Sequence, residues 1–139
     1  MSDNNKALVR RGYEEIWSQG RLEQIAQLYH PDFVLVDPLI QAVHGPEGYR
    51  QYVLGMRLPF PDLCFRLEEQ LAEGDQVATR WRAQGTHQGD FMGIPPTGQT
   101  GEITGTTISR IADGKIIEEK SNWDALRLLQ TLGVIPEMA

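Results

Sequence analysis

Three ionisable residues fall where strand-like runs of the sequence end. Asp37 follows Phe33–Val36, His87 closes a run that begins at Val77, and Asp124 separates Lys115–Trp123 from a helical pattern. Sheet ends beside flexible loops are common places for pockets. A carboxylate there, desolvated by Trp81, Trp123 and Tyr52, would bind its proton more tightly and serve as a base near neutral pH. Each residue also has a structural reading. Aspartate is among the best helix N-caps, which suits Asp124. Asp37 before Pro38 is a common turn pair. His87 could hydrogen-bond a loop backbone, and tryptophans such as Trp81 and Trp123 belong in cores. The pair Glu118-Glu119 is expected to have one exposed member and is a weak signal.

The elements that must position these groups follow from apolar spacing. Val9, Tyr13, Ile16 and Trp17 recur at helical intervals, and Gly20 suits a C-terminal cap. Leu22, Ile25, Leu28 and Tyr29 predict a second short helix that Pro31 ends. Gly45-Pro46 opens a third, with Tyr49, Tyr52, Val53 and Met56 on its inner face. The remainder reads as sheet. Leu63, Phe65, Leu67 and Leu71 share one strand phase. Val77, Thr79, Trp81, Ala83 and His87 share another. Ile103–Ile111 and Lys115–Trp123 flank the hairpin turn Asp113-Gly114, and Asp124–Leu132 returns to helix. Helices first and an antiparallel meander after them give an α+β class. No linker or repeat divides the chain, so residues 1–139 are read as a single domain.

Composition excludes several classes. A net charge of −6 with no basic run argues against nucleic acid as a partner. No apolar run approaches the roughly 20 residues of a membrane helix. The polar opening MSDNNKALVRR has no secretory apolar region, and a cytoplasmic location is expected. Cys64, between Leu63 and Phe65, is expected to be a buried structural thiol. The three histidines His30, His44 and His87 are far apart and form no metal motif. Phosphate-loop, dinucleotide and nucleophile-elbow spacings are absent. The chemistry left is acid–base work on a bound organic molecule, without metal or cofactor.

The stretch GTHQGDFMGIPPTGQT, followed by ISRIADGKIIEEKSNWDALRLLQTLG, resembles the SnoaL-like polyketide cyclases of the NTF2-like superfamily. The likeness runs from the helical N-terminus to Gly133. It implies a cone in which three N-terminal helices pack on a strongly curved, mostly antiparallel sheet, closed by a short C-terminal helix around an apolar cavity. It implies cofactor-independent ring closure by intramolecular aldol chemistry, or proton transfer, on a small hydrophobic carbonyl compound. Asp124 matches the family's acid/base aspartate and His87 its pocket histidine, whereas Asp37-Pro38 resembles the general-base step of steroid isomerases. Trp81, Trp123, Tyr52, Met56 and Phe91 are expected to line the substrate cavity. Segment 88–100 is expected to be a rim loop over its mouth. Relatives often carry an aromatic where this chain has Lys120, which either points outward or sets an ammonium near the cavity. The resemblance also implies a homodimer joined through the open sheet faces, using outward residues of Thr79–Arg82 and Thr104–Arg110.

A non-catalytic module that binds a small apolar ligand, or a dimerisation domain, is the alternative reading. Epoxide hydrolysis would need an Asp/Arg/Asp group around a water. Arg80 and Arg82 lie in the strand phase opposite to His87, which turns them away from the pocket.

Overall fold

The computed structural model describes residues 2–137. Helix α1 (Ser2–Arg11) continues directly into a π-helical stretch, Gly12–Ser18. Gly20 ends the run in the left-handed conformation at φ +72°, as a C-terminal glycine cap does. A 3₁₀ turn (Leu22–Gln24) and the single-turn helix α2 (Ile25–Leu28) lead into strand β1 (Tyr29–Val36). Strand β2 (Val43–His44) and helix α3 (Gly45–Arg57) follow. The chain then forms β3 (Cys64–Glu73), β4 (Gln76–Thr86), β5 (Thr100–Ala112), β6 (Lys115–Trp123) and helix α4 (Ala125–Thr131).

The six strands form one sheet in the order β2-β1-β6-β5-β4-β3. Every pairing is antiparallel except the parallel pair β1–β6. Helices α1 and α3, with the π-helical stretch, supply Val9, Ile16, Tyr49 and Val53 to a core shared with inward residues of the strands. This is the expected α+β cone. Arg57, at the end of α3, donates to the carbonyls of Trp17 and Ser18 and to those of Pro61 and Leu63. One guanidinium thereby holds the end of the first helical run against the entry to β3.

Strand alternation holds in β4, where Val77, Thr79, Trp81 and Ala83 all face inward, and the same phase reaches the buried His87 just beyond the strand. It fails in β3, where a bulge between Leu67 and Glu69 shifts the register. An inserted residue reverses the phase beyond it. Gln70 therefore turns inward to the Thr79 hydroxyl at 3.3 Å, and Leu71 is exposed, contrary to its expected inward phase. Cys64 is likewise exposed on the edge strand β3 rather than buried. Lys120 points outward, as one of the two readings allowed. No helix among the described residues is long and apolar enough to cross a membrane.

Candidate active site

The concave face encloses two adjoining cavities. The inner chamber is small, about 60 Å³, and is walled by aromatic rings including Tyr13, Trp17, Tyr49 and Trp81. Its polar groups are Glu119, Thr107 and Ser121. The outer cavity is about 410 Å³ and is lined by apolar residues that include Leu39, Ile40, Phe91, Leu128 and Leu129. Tyr52, Met56 and Trp123 line both, so these three side chains form the partition between them. An outer space of that size falls in the range of small-molecule sites.

Glu119 stands inside because of a second bulge. Ile111 pairs with Ile116 but Arg110 pairs with Glu118, so β6 carries one extra residue near Ile117. Simple alternation from the fully buried Ile116 would have sent Glu118 inward. The bulge reverses the phase. Glu118 pairs with Arg110 on the outer face at 3.8 Å, and Glu119 lies inward opposite Ser109. The Ser109 hydroxyl donates to Glu119 Oε2 at 3.2 Å.

Around Glu119 the hydroxyls form a directed network. Trp17 Nε1 donates to the Tyr49 hydroxyl oxygen at 2.8 Å and Tyr29 donates to it at 3.1 Å, leaving the Tyr49 proton for Glu119. A second set joins Trp81 Nε1 to Thr107 Oγ1 at 3.0 Å and Thr107 to Ser121 at 2.8 Å. The π-helical stretch is what brings Tyr13 and Trp17 to the chamber, a use of π-turns common at functional sites. Gly12, at its start, is required by close approach. A Cβ there would come within 2.9 Å of the Tyr29 hydroxyl.

Burial sets the proton affinities. Desolvation pushes the Glu119 carboxyl up to about 7 from an ordinary 4.5, against the opposing hydrogen bonds from Ser109 and Tyr49. Burial first, and the charge on Glu119 second, hold Tyr13, Tyr29 and Tyr49 well above the phenol range, so they remain donors. A raised carboxylate destabilises the fold when ionised. The stability it contributes is fully present below pH 4.5 and is lost as pH rises through about 7, a change of about 3 kcal/mol. Glu119→Gln is neutral at every pH. Its melting temperature is therefore expected to gain on the wild type as pH rises from 5 towards about 8. Paired thermal melts across that range check the sign, and a constant difference would contradict it.

The residues singled out from the sequence divide. Trp81, Trp123, Tyr52, Met56 and Phe91 all lie on cavity walls. Asp37 is buried at the end of β1, with Oδ2 accepting from Trp123 Nε1 at 2.7 Å and Oδ1 from the Leu39 amide at 2.9 Å. His87 faces the concave side but lines neither cavity. It is fully buried behind Phe60, whose ring stacks on it at 5.4 Å, and its Nδ1 accepts from the Thr97 amide at 3.2 Å. The rim loop is accordingly tethered, with His87 and Gln99 or Gly98 bonded through their backbones and a two-residue turn at Met92-Gly93. Asp124 is exposed, and its Oδ1 accepts from the Arg127 amide at 2.9 Å as the N-cap of α4. Asp124 lines neither cavity, because the strand phase that turns Trp123 inward turns its neighbour out. Asp124→Ala is expected to cost about 1 kcal/mol through loss of the cap, with Asp124→Asn near neutral, as denaturant titration can measure. Glu119 is the residue the sequence underweighted. Among the described residues, no cluster of His, Cys, Asp and Glu is arranged to hold a metal.

A model of the SnoaL-like polyketide cyclase family matches residues 7–132. The chain belongs to that family. It is 31% identical to nogalonic acid methyl ester cyclase of Streptomyces nogalater, over 84% of this chain and 89% of the relative. A SnoaL-like polyketide cyclase structure from Jannaschia sp. CCS1 superposes with a TM-score of 0.88 at 28% identity, covering 97% of this chain and 95% of the other. AclR of Streptomyces galilaeus, a candidate hydroxylase, also superposes at 0.88, with 30% identity over 100% of this chain and 87% of the other. A protein of ketosteroid isomerase-like fold from Catenulispora acidiphila superposes at 0.77 over 91% of this chain and 92% of the other. At 14% identity it shows the shared fold alone.

Proposed function

We propose that this SnoaL-like chain is a cyclase that closes a ring by intramolecular aldol chemistry on a hydrophobic polycarbonyl compound, with Glu119 as general base and acid. The observation that carries the reading is a fully buried carboxylate, poised at about 7, on the wall of an aromatic chamber supplied with phenol donors. At neutral pH a large fraction of Glu119 is ionised, and a base of that affinity is matched to proton abstraction next to a carbonyl. Tyr13, whose phenol stays protonated on the chamber wall, donates to the enolate oxygen as charge develops, in a site shielded from water. The enolate carbon then bonds to a second carbonyl carbon. Its oxygen takes the proton back from Glu119, so the product is an isomer of the substrate and no redox partner is needed. Asp124, His87 and Asp37 take no part in the proton transfer in this reading. Asp124 caps α4, His87 ties the rim loop, and Asp37 holds Trp123.

The relative from Streptomyces nogalater is named for the methyl ester of nogalonic acid, so that compound is the first substrate to offer. Ring closure would shift its chromatographic retention and spectrum at unchanged mass. A gain of one oxygen would instead support the hydroxylase suggested by the likeness to AclR, and saturable binding without turnover would support a ligand-binding module. Glu119→Gln and Asp124→Asn, assayed side by side, separate the two candidate bases. Activity is expected to fall in the first and persist in the second.

The protein is further proposed to pair through the convex face of its sheet. Ile108 and Leu71 are exposed there beside Ala78, and Arg80 and Thr106 extend the patch. Exposed apolar residues on a sheet face fit a moderately polar homodimer interface. Light scattering at micromolar concentration is expected to return twice the chain mass, and a monomer would refute the pairing.

A further inference from the structure

The two cavities are separated by side chains, and one of those side chains is held from behind. Trp123 stands in the partition with Tyr52 and Met56. Its indole N–H donates to Asp37 Oδ2 at 2.7 Å, and Asp37 lines neither space. The other oxygen of Asp37 accepts the amide of Leu39 at 2.9 Å, and the Asp37 carbonyl accepts the amide of Ile40 at 3.2 Å, closing a turn across Pro38. Leu39 and Ile40 are themselves outer-cavity wall. A single carboxylate therefore fixes both the partition and one side of the outer cavity.

Asp37 is only 3% exposed, and both oxygens are engaged by N–H donors. Charge-assisted hydrogen bonds of this kind are the stronger ones, and severing one while leaving a buried donor unpaired is costly. An indole N–H in an apolar wall otherwise has no reason to keep one orientation. The inner chamber, about 60 Å³, has room for a few water molecules or the carbonyl end of a ligand, whereas the outer space of about 410 Å³ holds a larger body.

We infer that Asp37 is a positioning residue that clamps Trp123 in the partition, so that only the narrow carbonyl end of a ligand passes inward while its bulk stays in the outer cavity. The inference deepens the cyclase reading, and its assignment of size selectivity to Trp123 rests on the same site. The clamp itself does not require that Glu119 be the base. A second consequence concerns Tyr52 in the same partition. Its phenol is held above the usual range by burial first and by the Asp37 charge next, so it remains a neutral wall residue.

The test reads the indole directly and then the selectivity. In proton–nitrogen correlation spectra the Trp123 indole signal, identified by its loss in Trp123→Phe, is expected to move upfield in Asp37→Ala while the signals of Trp17 and Trp81 stay in place. Binding of acetophenone and of an acetylanthracene, measured by tryptophan quenching, gives the selectivity as a ratio of affinities. That ratio is expected to shift about tenfold towards the larger ketone in Asp37→Ala, the scale of one lost charged hydrogen bond. Trp123→Phe cuts the same bond from the other side and is expected to shift the ratio in the same direction, so it decides the matter if Asp37→Ala does not fold. An unmoved Trp123 signal in folded Asp37→Ala, or an unchanged ratio in the folded variants, overturns the clamp. Because neither readout involves turnover, an inactive Glu119 hypothesis and a failed clamp give different results.

Discussion

Replacing Glu119 by glutamine is expected to lower turnover of a true substrate by roughly 10² or more, the range of a lost general base. Glutamine has nearly the same shape, and its amide oxygen can still accept the Ser109 hydroxyl. What it cannot do is take a proton at neutral pH. The loss should therefore appear in kcat while substrate affinity changes little, since the cavity walls are untouched. The rising limb of the wild-type pH–rate profile, centred near 7, should vanish with the carboxylate. The same substitution is expected to raise stability at alkaline pH. Lower activity with higher stability is the pattern expected of a charge held in an apolar site for function rather than for folding. If the variant keeps full activity, Glu119 is a structural carboxylate and the base lies elsewhere. Asp37, buried beside the partition, would be the next residue to substitute.

Gly105→Ala is expected to have the largest effect on stability. Gly105 lies inward on β5 between Trp81 on β4 and Trp123 on β6, its register partners on either side. The Trp81 ring lies over its Cα, and an added Cβ would land inside the van der Waals envelope of three ring atoms. The ring cannot retreat easily, because its Nε1 donates to Thr107 and it packs against Phe65 at 5.0 Å. Overpacking at such a site costs about 3 kcal/mol, which for a chain of this length lowers the melting temperature by roughly 10 °C. A displaced Trp81 would also disturb the Thr107–Ser121 pair and narrow the inner chamber. Calorimetry tests the first consequence and ligand titration the second. A variant that melts with the wild type would show that the wall is looser than the packing implies.

The α+β class was legible in the sequence because it rests on long, regular signals, while the cone followed from the family resemblance. The period of Val9, Tyr13, Ile16 and Trp17 marks the first helical run, and the alternation through Val77–His87 marks the central strand. Trp81, Tyr52 and Met56 were legible for the same reason, as large side chains in one strand phase or on one helix face, whereas Phe91 lies in the rim loop. The acid–base centre proposed here, Glu119, was not legible. Whether Glu118 or Glu119 enters the core depends on one extra residue in β6, and nothing in KIIEEKSNW marks a bulge at Ile117. The same blindness put Leu71 on the wrong face of β3. Asp124 stands between an inward tryptophan and a helix, where a pocket base and an N-cap look alike in sequence, and in the fold its Oδ1 accepts the Arg127 amide. His87 was correctly turned to the concave side, but its burial behind Phe60 depends on how the rim loop folds back, a tertiary matter that local pattern does not encode.

The proposed chemistry depends on Glu119 being a desolvated carboxylate poised near neutrality in the inner chamber. An NMR titration of its side-chain carboxyl carbon, in isotope-labelled protein with the signal assigned by its loss in Glu119→Gln, tests that claim most directly. A midpoint near 7, coincident with the rising limb of the pH–rate profile, is expected. A midpoint near the ordinary 4.5 would mean that water or an unrecognised partner stabilises the charge, and Glu119 could not then act as the proposed acid and base.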